Sequence, residues 1–268
     1  MYFRGFCVTL SFDAIASQFD SQRGLPREAM SAWIGLIHEL AAGRTLGIIE
    51  PGIGTGRITL PLAALGHHIT GTDLSAPMLR TCRERAQRLN LSAQIELAEA
   101  DATDLPCGDH AFDLGVIAQL LYLVPDWPTV LDELARVVKP GGFVIHLTEP
   151  TIESNALAKW SANWRQIIEA TGYRHTELTP SDDDIHVEFV RRWPDVQVRE
   201  LASWCFGQSV EDALDGYADR IRPLYEDVPE AEFDRAVERF LTEVRADFPD
   251  RTTRLDGTVR LSALIAST

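Results

Sequence analysis

The stretch Glu50–Arg57, EPGIGTGR, sets glycines at positions 52, 54 and 56 behind an acid and a proline. The apolar run TLGII (45–49) before it reads as a short buried strand. The segment from Thr55 to Gly66 reads as a helix that Pro61 can kink. A strand entering a helix through a glycine-rich turn is a binding site for an anion or a polar cofactor. Glycine permits the unusual backbone angles, and its missing side chain admits the ligand.

The spacing discriminates among a phosphate, a dinucleotide and S-adenosylmethionine. A triphosphate loop needs a Lys-Ser/Thr pair after its last glycine, and GTGRIT supplies neither. The dinucleotide fingerprint G-x-G-x-x-G, started at Gly52, would put its third glycine at position 57, which is Arg57. HHITGTD (67–73) reads as a second strand ending on Asp73, about 20 residues beyond the glycines. A carboxylate there can accept both hydroxyls of a ribose. Strand and acid together specify an adenosine ribose and leave open which adenosine.

Working outward, LPREAMSAWIGLIHELAAG (25–43) has apolar residues at helical spacing, with Pro26 at its start and Gly43 at its stop. Ser75 can cap a helix running to about Asn90. AQIELAEAD (93–101) and AFDLGVIAQ (111–119) read as the third and fourth strands. DWPTVLDELARVVK (126–139) reads as a helix stopped by KPGG, and FVIHLTE (143–149) as the fifth strand. Strands alternate with helices and are mostly continuous apolar runs, which predicts an α/β fold with a doubly wound, mostly parallel sheet. Beyond residue 150 the sequence predicts a helix (156–171), a solvated acidic loop at Ser181–Asp184, a strand (196–207), helices near 209–221 and 230–246, and a last strand (254–266).

The chain has 268 residues, 45% of them hydrophobic, enough for a large core. Its formal charge of −15 repels phosphate backbones and anionic lipid surfaces, so neither nucleic acid nor a membrane is an expected partner. Cys7, Cys82, Cys107 and Cys205 form no C-x-x-C and stand near no histidine pair, so no metal site and no disulfide framework is expected. The N-terminal segment lacks a signal peptide's apolar region, and no stretch nears the ~18 apolar residues of a membrane span. A cytoplasmic protein is the resulting expectation.

Here the sequence resembles the class I S-adenosylmethionine-dependent methyltransferases of the small-molecule kind, labelled methyltransferase domain 11/25. IIEPGIGTGR is similar to that family's first motif, GTDLSAPML to its second, and AEADATDLPCGDHAFD to its third. FDLGVIAQLLYLVPDW and ELARVVKPGGFVI resemble its fourth- and fifth-strand segments. Together these cover about residues 45–148 in family order. The resemblance implies a Rossmann-like sheet of seven strands, the last antiparallel. It implies one domain over 1–268: an N-terminal lid (1–42), a cofactor core (43–150), a lid and acceptor insertion (151–190), and C-terminal strands with inserted helices (191–268). It implies S-adenosyl-L-methionine as cofactor and S-adenosyl-L-homocysteine as product.

On that footing Glu50 contacts the cofactor's cationic amino end, and Gly52, Gly54 and Gly56 let the backbone pass beside it. Asp73 takes the ribose hydroxyls, Leu74 and Met78 sandwich the adenine, Ala102 meets its edge and Asp101 its amine. Gln119 sits at the mouth facing the methyl. FDAIASQFDSQRG (12–24) resembles the family's lid, where Phe12, Phe19 and Arg23 would close over the methionine end. Tyr122 stands where related sequences show a histidine, and His146 and Glu149 end the fifth strand; these are the candidate catalytic residues. His67 and His68 read as structural. Trp160, Trp164 and Trp204 are candidates for an acceptor pocket or for packing. Segments 1–30 and 150–190 are expected to choose the acceptor, a small molecule.

The rival readings are a non-methylating enzyme using the same cofactor and a non-catalytic cofactor-binding partner subunit. Arg57 and the DATDLP segment weigh against a nicotinamide dehydrogenase. AQLL after the fourth strand weighs against a nucleic-acid methyltransferase of the N-P-P-Y type.

Overall fold

A computed structural model describes residues 25–148, 151–172, 180–215, 217–218 and 228–268. The chain divides into two compact units. One is built from the described parts of residues 11–149, 178–202 and 261–268, the other from those of 150–177 and 203–260. The grouping departs from the sequence-based segments: residues 178–202 join the sheet unit, while 203–260 join the segment read as an insertion.

The first unit carries the expected doubly wound architecture. Strands β1 (Gly47–Pro51), β2 (His68–Asp73), β3 (Ile95–Glu99), β4 (Phe112–Ala118) and β5 (Val138–Leu147) pair in parallel in the order β3-β2-β1-β4-β5. The last strand, β8 (Arg254–Ser267), runs antiparallel to β5. A long strand β7 (Asp195–Ser209) also pairs with β8. The sequence did not announce β6 (Thr151–Glu153), which pairs antiparallel with β8 at Thr151↔Arg260, one residue out of step with Leu147↔Ala263. The mostly parallel sheet with antiparallel last strands is the expected one.

Helix α1 (Arg27–Ala41) starts behind Pro26 and ends where Ala42 and Gly43 turn left-handed, at φ 48° and 79°. Helix α2 (Leu60–Ala63) is far shorter than the 55–66 expected. Residues 53–59 are spent in turns, and Pro61 opens the helix rather than kinking it, because its missing N–H belongs in a first turn. Helix α3 (Ala76–Arg88) is capped as read, Ser75 Oγ accepting from Met78 N at 3.2 Å. Helix α4 (Trp127–Val137) turns Val130, Leu131, Leu134 and Val137 into the core, each burial contributing about 1.5–3 kcal/mol. KPGG lies inside β5, not after the helix as a stop: between Phe112↔Val138 and Leu114↔Phe143 the strand bulges. A Cβ on Gly142 would sit 2.7 Å from Asp113 O, so the bulge requires glycine.

The acidic run 181–184 is not a solvated loop. It opens helix α6 (Asp182–Arg192) with a capping box in which Ser181 Oγ accepts from Asp184 N at 3.1 Å and Ser181 N donates to Asp184 Oδ2 at 2.8 Å. Ile185 and Phe189 of α6 are fully buried.

In the second unit, α5 (Asn155–Glu169), α7 (Val210–Leu214) and α8 (Glu230–Asp247) surround a separate aromatic core. Trp164 meets Tyr217, Phe233 and Phe240 edge-on at 5.9, 6.0 and 5.6 Å. Trp160 meets Phe240 and Phe248 at 6.3 and 5.8 Å. Both tryptophans are buried packing residues of this core, and Trp204 is half-buried on β7. Among the described residues, no helix is long and apolar enough to cross a membrane.

Candidate functional site

The strand order reverses between β1 and β4, so their carboxyl ends open a crevice at the topological switch point of the sheet. The glycine loop leaves β1 there and is held from four sides. Trp33 Nε1 of α1 donates to Ile58 O at 3.1 Å. Arg85 Nη1 of α3 donates to Thr55 O at 2.9 Å. Gly54 N donates to Asp73 Oδ2 at 2.8 Å. Thr59 Oγ1 donates to Glu50 Oε2 at 2.5 Å. The loop therefore needs no ordering when a ligand arrives.

Its three glycines differ in purpose. All have left-handed φ, at 67°, 54° and 74°. A Cβ on Gly52 would meet Leu120 Cδ1 at 2.7 Å, and one on Gly56 would meet Cys82 Sγ at 2.7 Å and Leu60 Cγ at 2.8 Å. A Cβ on Gly54 would enter open space, with nothing within 4 Å. Of the three, only Gly54 has open space where a side chain would stand; at Gly52 and Gly56 that space is filled by packed side chains.

Two carboxylates bond to the loop. Asp73, at the end of β2, accepts from Gly54 N with Oδ2 and from Ser75 N with Oδ1, each at 2.8 Å. A carboxylate has about four acceptor positions, so hydroxyls can still be bound there. Glu50 is buried, and burial pushes its carboxyl up to about 8 against the opposing pull of the Thr59 bond and Arg57. Unfolded, its ordinary value is 4.5, so between 4.5 and about 8 the folded chain holds the extra proton. The stability this contributes is complete below the unfolded value, falls as pH rises through the window, and is flat above it. Wild type should therefore lose stability from pH 5 to pH 8 relative to Glu50→Gln, which stays neutral. The difference, on the order of a few kcal/mol, is read from denaturant midpoints of the two proteins. Parallel pH curves would show that Glu50 is not held neutral.

Gln119 follows β4 with left-handed backbone, φ 57°, uncommon for its type and often found at functional sites. Its Oε1 accepts from Arg57 Nη2 at 2.6 Å across the loop. On the far side of Asp73, Leu74 is 66% exposed while Met78 is buried. Of the expected adenine sandwich, Leu74 alone presents an open apolar surface. After β3, Asp101 is exposed, with Oδ1 accepting from Thr103 N at 2.9 Å and Thr103 Oγ1 at 2.8 Å; Ala102 beside it is buried.

The candidate catalytic residues Tyr122 and His146 meet. Tyr122 Oη lies 3.4 Å from His146 Nε2 and donates to Asp182 Oδ1 at 2.7 Å. His146 is wholly enclosed, with Phe189 on another side at a ring distance of 6.3 Å. Glu149, Arg23, Phe12 and Phe19 lie outside the described residues. His67 is structural as expected: its Nδ1 accepts from Leu46 N at 3.1 Å, and burial pulls its pKa down. Among the described residues, no group of His, Cys, Asp and Glu could hold a metal ion.

Sequence reasoning missed Arg57, Thr59, Arg85 and Asp182 as members of the site. Arg57 served there only as a missing glycine. For Asp182 a signal existed: S-x-x-D at 181–184 is a capping-box pattern, which would have put it in a helix's first turn.

A methyltransferase domain family profile matches residues 49–146. A demethylmenaquinone methyltransferase of Clavibacter sepedonicus is 29% identical over 203 residues, 74% of this chain and 79% of that protein. A phosphatidylethanolamine N-methyltransferase of Cereibacter sphaeroides is 38% identical over 98 residues, 37% of this chain and 48% of that protein. The match thus spans about half the length of that relative, as it does for a demethylmenaquinone methyltransferase of Bacillus cytotoxicus, at 44%. In fold, the YcgJ protein of Bacillus subtilis aligns with a TM-score of 0.57 and 16% identity over 89% of this chain and 99% of that one. A phosphoethanolamine N-methyltransferase 2 of Haemonchus contortus, solved with phosphomonomethylethanolamine and S-adenosylhomocysteine, aligns with a TM-score of 0.51 and 17% identity over 89% of this chain and 52% of that one. Residues 49–146 thus carry a methyltransferase domain, and the relatives and structural neighbours it matches support the class I S-adenosylmethionine-dependent methyltransferases as the group this chain resembles.

Proposed function

We propose that this chain moves a methyl group from S-adenosyl-L-methionine to a small-molecule acceptor, releasing S-adenosyl-L-homocysteine. The observation that carries the reading is the open space at Gly54, whose N–H is held by the carboxylate of Asp73, on a loop that also binds the carboxylate of Glu50 through Thr59. That pair suits a ligand with a ribose diol and a cationic amine. When bound, the cofactor supplies a methyl on a sulfonium, open to in-line displacement.

The chain's own part is to bind, align and exclude water. Asp73 accepts the ribose hydroxyls and Gly54 admits the ligand. Glu50 faces the amino end, where an arriving ammonium favours its anionic form. Gly52 and Gly56 hold the loop in shape. Leu74 covers the adenine, with Met78 and Ala102 behind and beside it, and Asp101 accepts from its amine. Gln119 borders the mouth, and Arg23 is assigned to the methionine end. An acceptor that must lose a proton needs a base. Tyr122, aligned by Asp182, is the first candidate; enclosed His146, beside the Tyr122 hydroxyl, is the second, and Glu149 is the third. Relatives named for a quinone and for ethanolamine compounds support a small acceptor.

Calorimetric titration with S-adenosylmethionine, S-adenosylhomocysteine and NAD tests the cofactor. Binding of the first two with no NAD binding is expected, and absence of both would sink the reading. A metabolite screen for methylated product, run with the same protein, then tests the acceptor class.

A further inference from the structure

The inference rests on the cofactor reading above and concerns two side chains outside the crevice. The segment between β3 and β4 carries Asp101 and Ala102 and has no helix or strand of its own. Arg136, in the last turn of α4, reaches across to it. Its Nε donates to Glu133 Oε1 at 2.8 Å. Its Nη1 donates to Cys107 O at 2.7 Å and Asp109 Oδ1 at 2.9 Å. Its Nη2 donates to Leu105 O at 3.1 Å and Glu133 Oε2 at 2.6 Å. A guanidinium has five N–H groups in a rigid fork, and all five are used here.

Three of the five acceptors belong to the segment. Glu133 closes the ring, since its Oε2 also accepts from Leu105 N at 2.7 Å. The backbone adds His110 N to Arg136 O at 3.0 Å and Ala111 N to Val137 O at 2.8 Å. Leu105 is buried in the core cluster that includes Ala102 and Leu131. A lone surface ion pair would tolerate many geometries; a fork filled by two carbonyls and two carboxylates tolerates one.

We propose that Arg136 and Glu133 are positioning residues for the adenine end of the cofactor, locking Leu105–Asp109 to α4 so that Asp101 and Ala102 are preset to read the base. Asp101 itself sits in a tight turn: its Oδ1 is taken by Thr103 and its carbonyl accepts from Asp104 N at 3.1 Å, which leaves Oδ2 for the adenine amine. Loosening the segment should cost affinity for the base specifically, because the ribose and amino-end contacts come from β1 and β2.

The test is calorimetric titration with S-adenosylhomocysteine and with S-inosylhomocysteine, in which oxygen replaces the adenine amine. Wild type should prefer the adenosyl ligand by about tenfold or more. Arg136→Lys should bind the adenosyl ligand about tenfold more weakly and the inosyl ligand nearly as before, so the preference collapses. Glu133→Gln, which keeps size and removes the charge, should lower the preference in the same direction and decides the matter if Arg136→Lys does not fold. An unchanged preference in the folded variants, an equal loss of both ligands, or a wild type without preference overturns the inference. Wild type that binds neither ligand overturns the cofactor reading itself, and this one with it.

Discussion

Asp73→Ala should weaken binding of S-adenosylhomocysteine by at least about tenfold, since a hydrogen bond to a charged group is worth roughly 1.5–3 kcal/mol. The loss has two sources. The ribose hydroxyls lose their acceptor, and Gly54 N and Ser75 N lose theirs, each now bound at 2.8 Å. The second source disorders the one glycine of the 52/54/56 loop with open space above it. Asp73→Asn keeps an acceptor oxygen but turns an amide nitrogen toward one of the two N–H donors, so it should fall between wild type and alanine. Titration calorimetry of the three proteins reads the series. Unchanged affinity in the alanine variant would remove Asp73 from the ribose.

Trp164→Ala should be the most destabilising single truncation in the second unit, costing about 3–5 kcal/mol as a large cavity in an aromatic core. Trp164 is 4% exposed and touches Tyr217, Phe233 and Phe240 edge-on. The described residues assigned to the cofactor all belong to the other unit. The variant should therefore lose stability in denaturant while its affinity for S-adenosylhomocysteine, measured under folding conditions, stays close to wild type. A cost below about 1 kcal/mol would mean that Trp164 is no core residue, and a matching loss of affinity would tie it to the site.

The parts of this protein legible in sequence are those that local rules govern. Glycines at every second position, an acid closing the next strand, and apolar runs separated by helical periods were enough for a mostly parallel sheet and for placing Asp73 at the end of β2. Ser75 announced its own cap. The misread elements are those where the same residue types serve two purposes. Pro61 inside an apolar stretch looks like a kink but starts a helix. The glycines of KPGG look like a stop, yet they let β5 bulge and continue. Three aspartates in a row look like a solvated loop but begin α6, with Asp182 bound to Tyr122 sixty positions away. Pairings over such distances, like Arg57 with Gln119, leave no periodic trace in the chain. They arise only once the strands have been ordered.

Gly52 and Gly56 are pressed by Leu120, Leu60 and Cys82, whereas Gly54 is not pressed by anything. A descendant of this chain that had given up its ligand would still be held to glycine at 52 and 56 by its own interior. At 54 it would be free to drift to a residue such as Asn, which tolerates the left-handed backbone. Lost chemistry in this lineage would thus be written at positions 54 and 73 while the flanking glycines persisted. A census keyed to those flanking glycines would go on counting the idle copy as an enzyme.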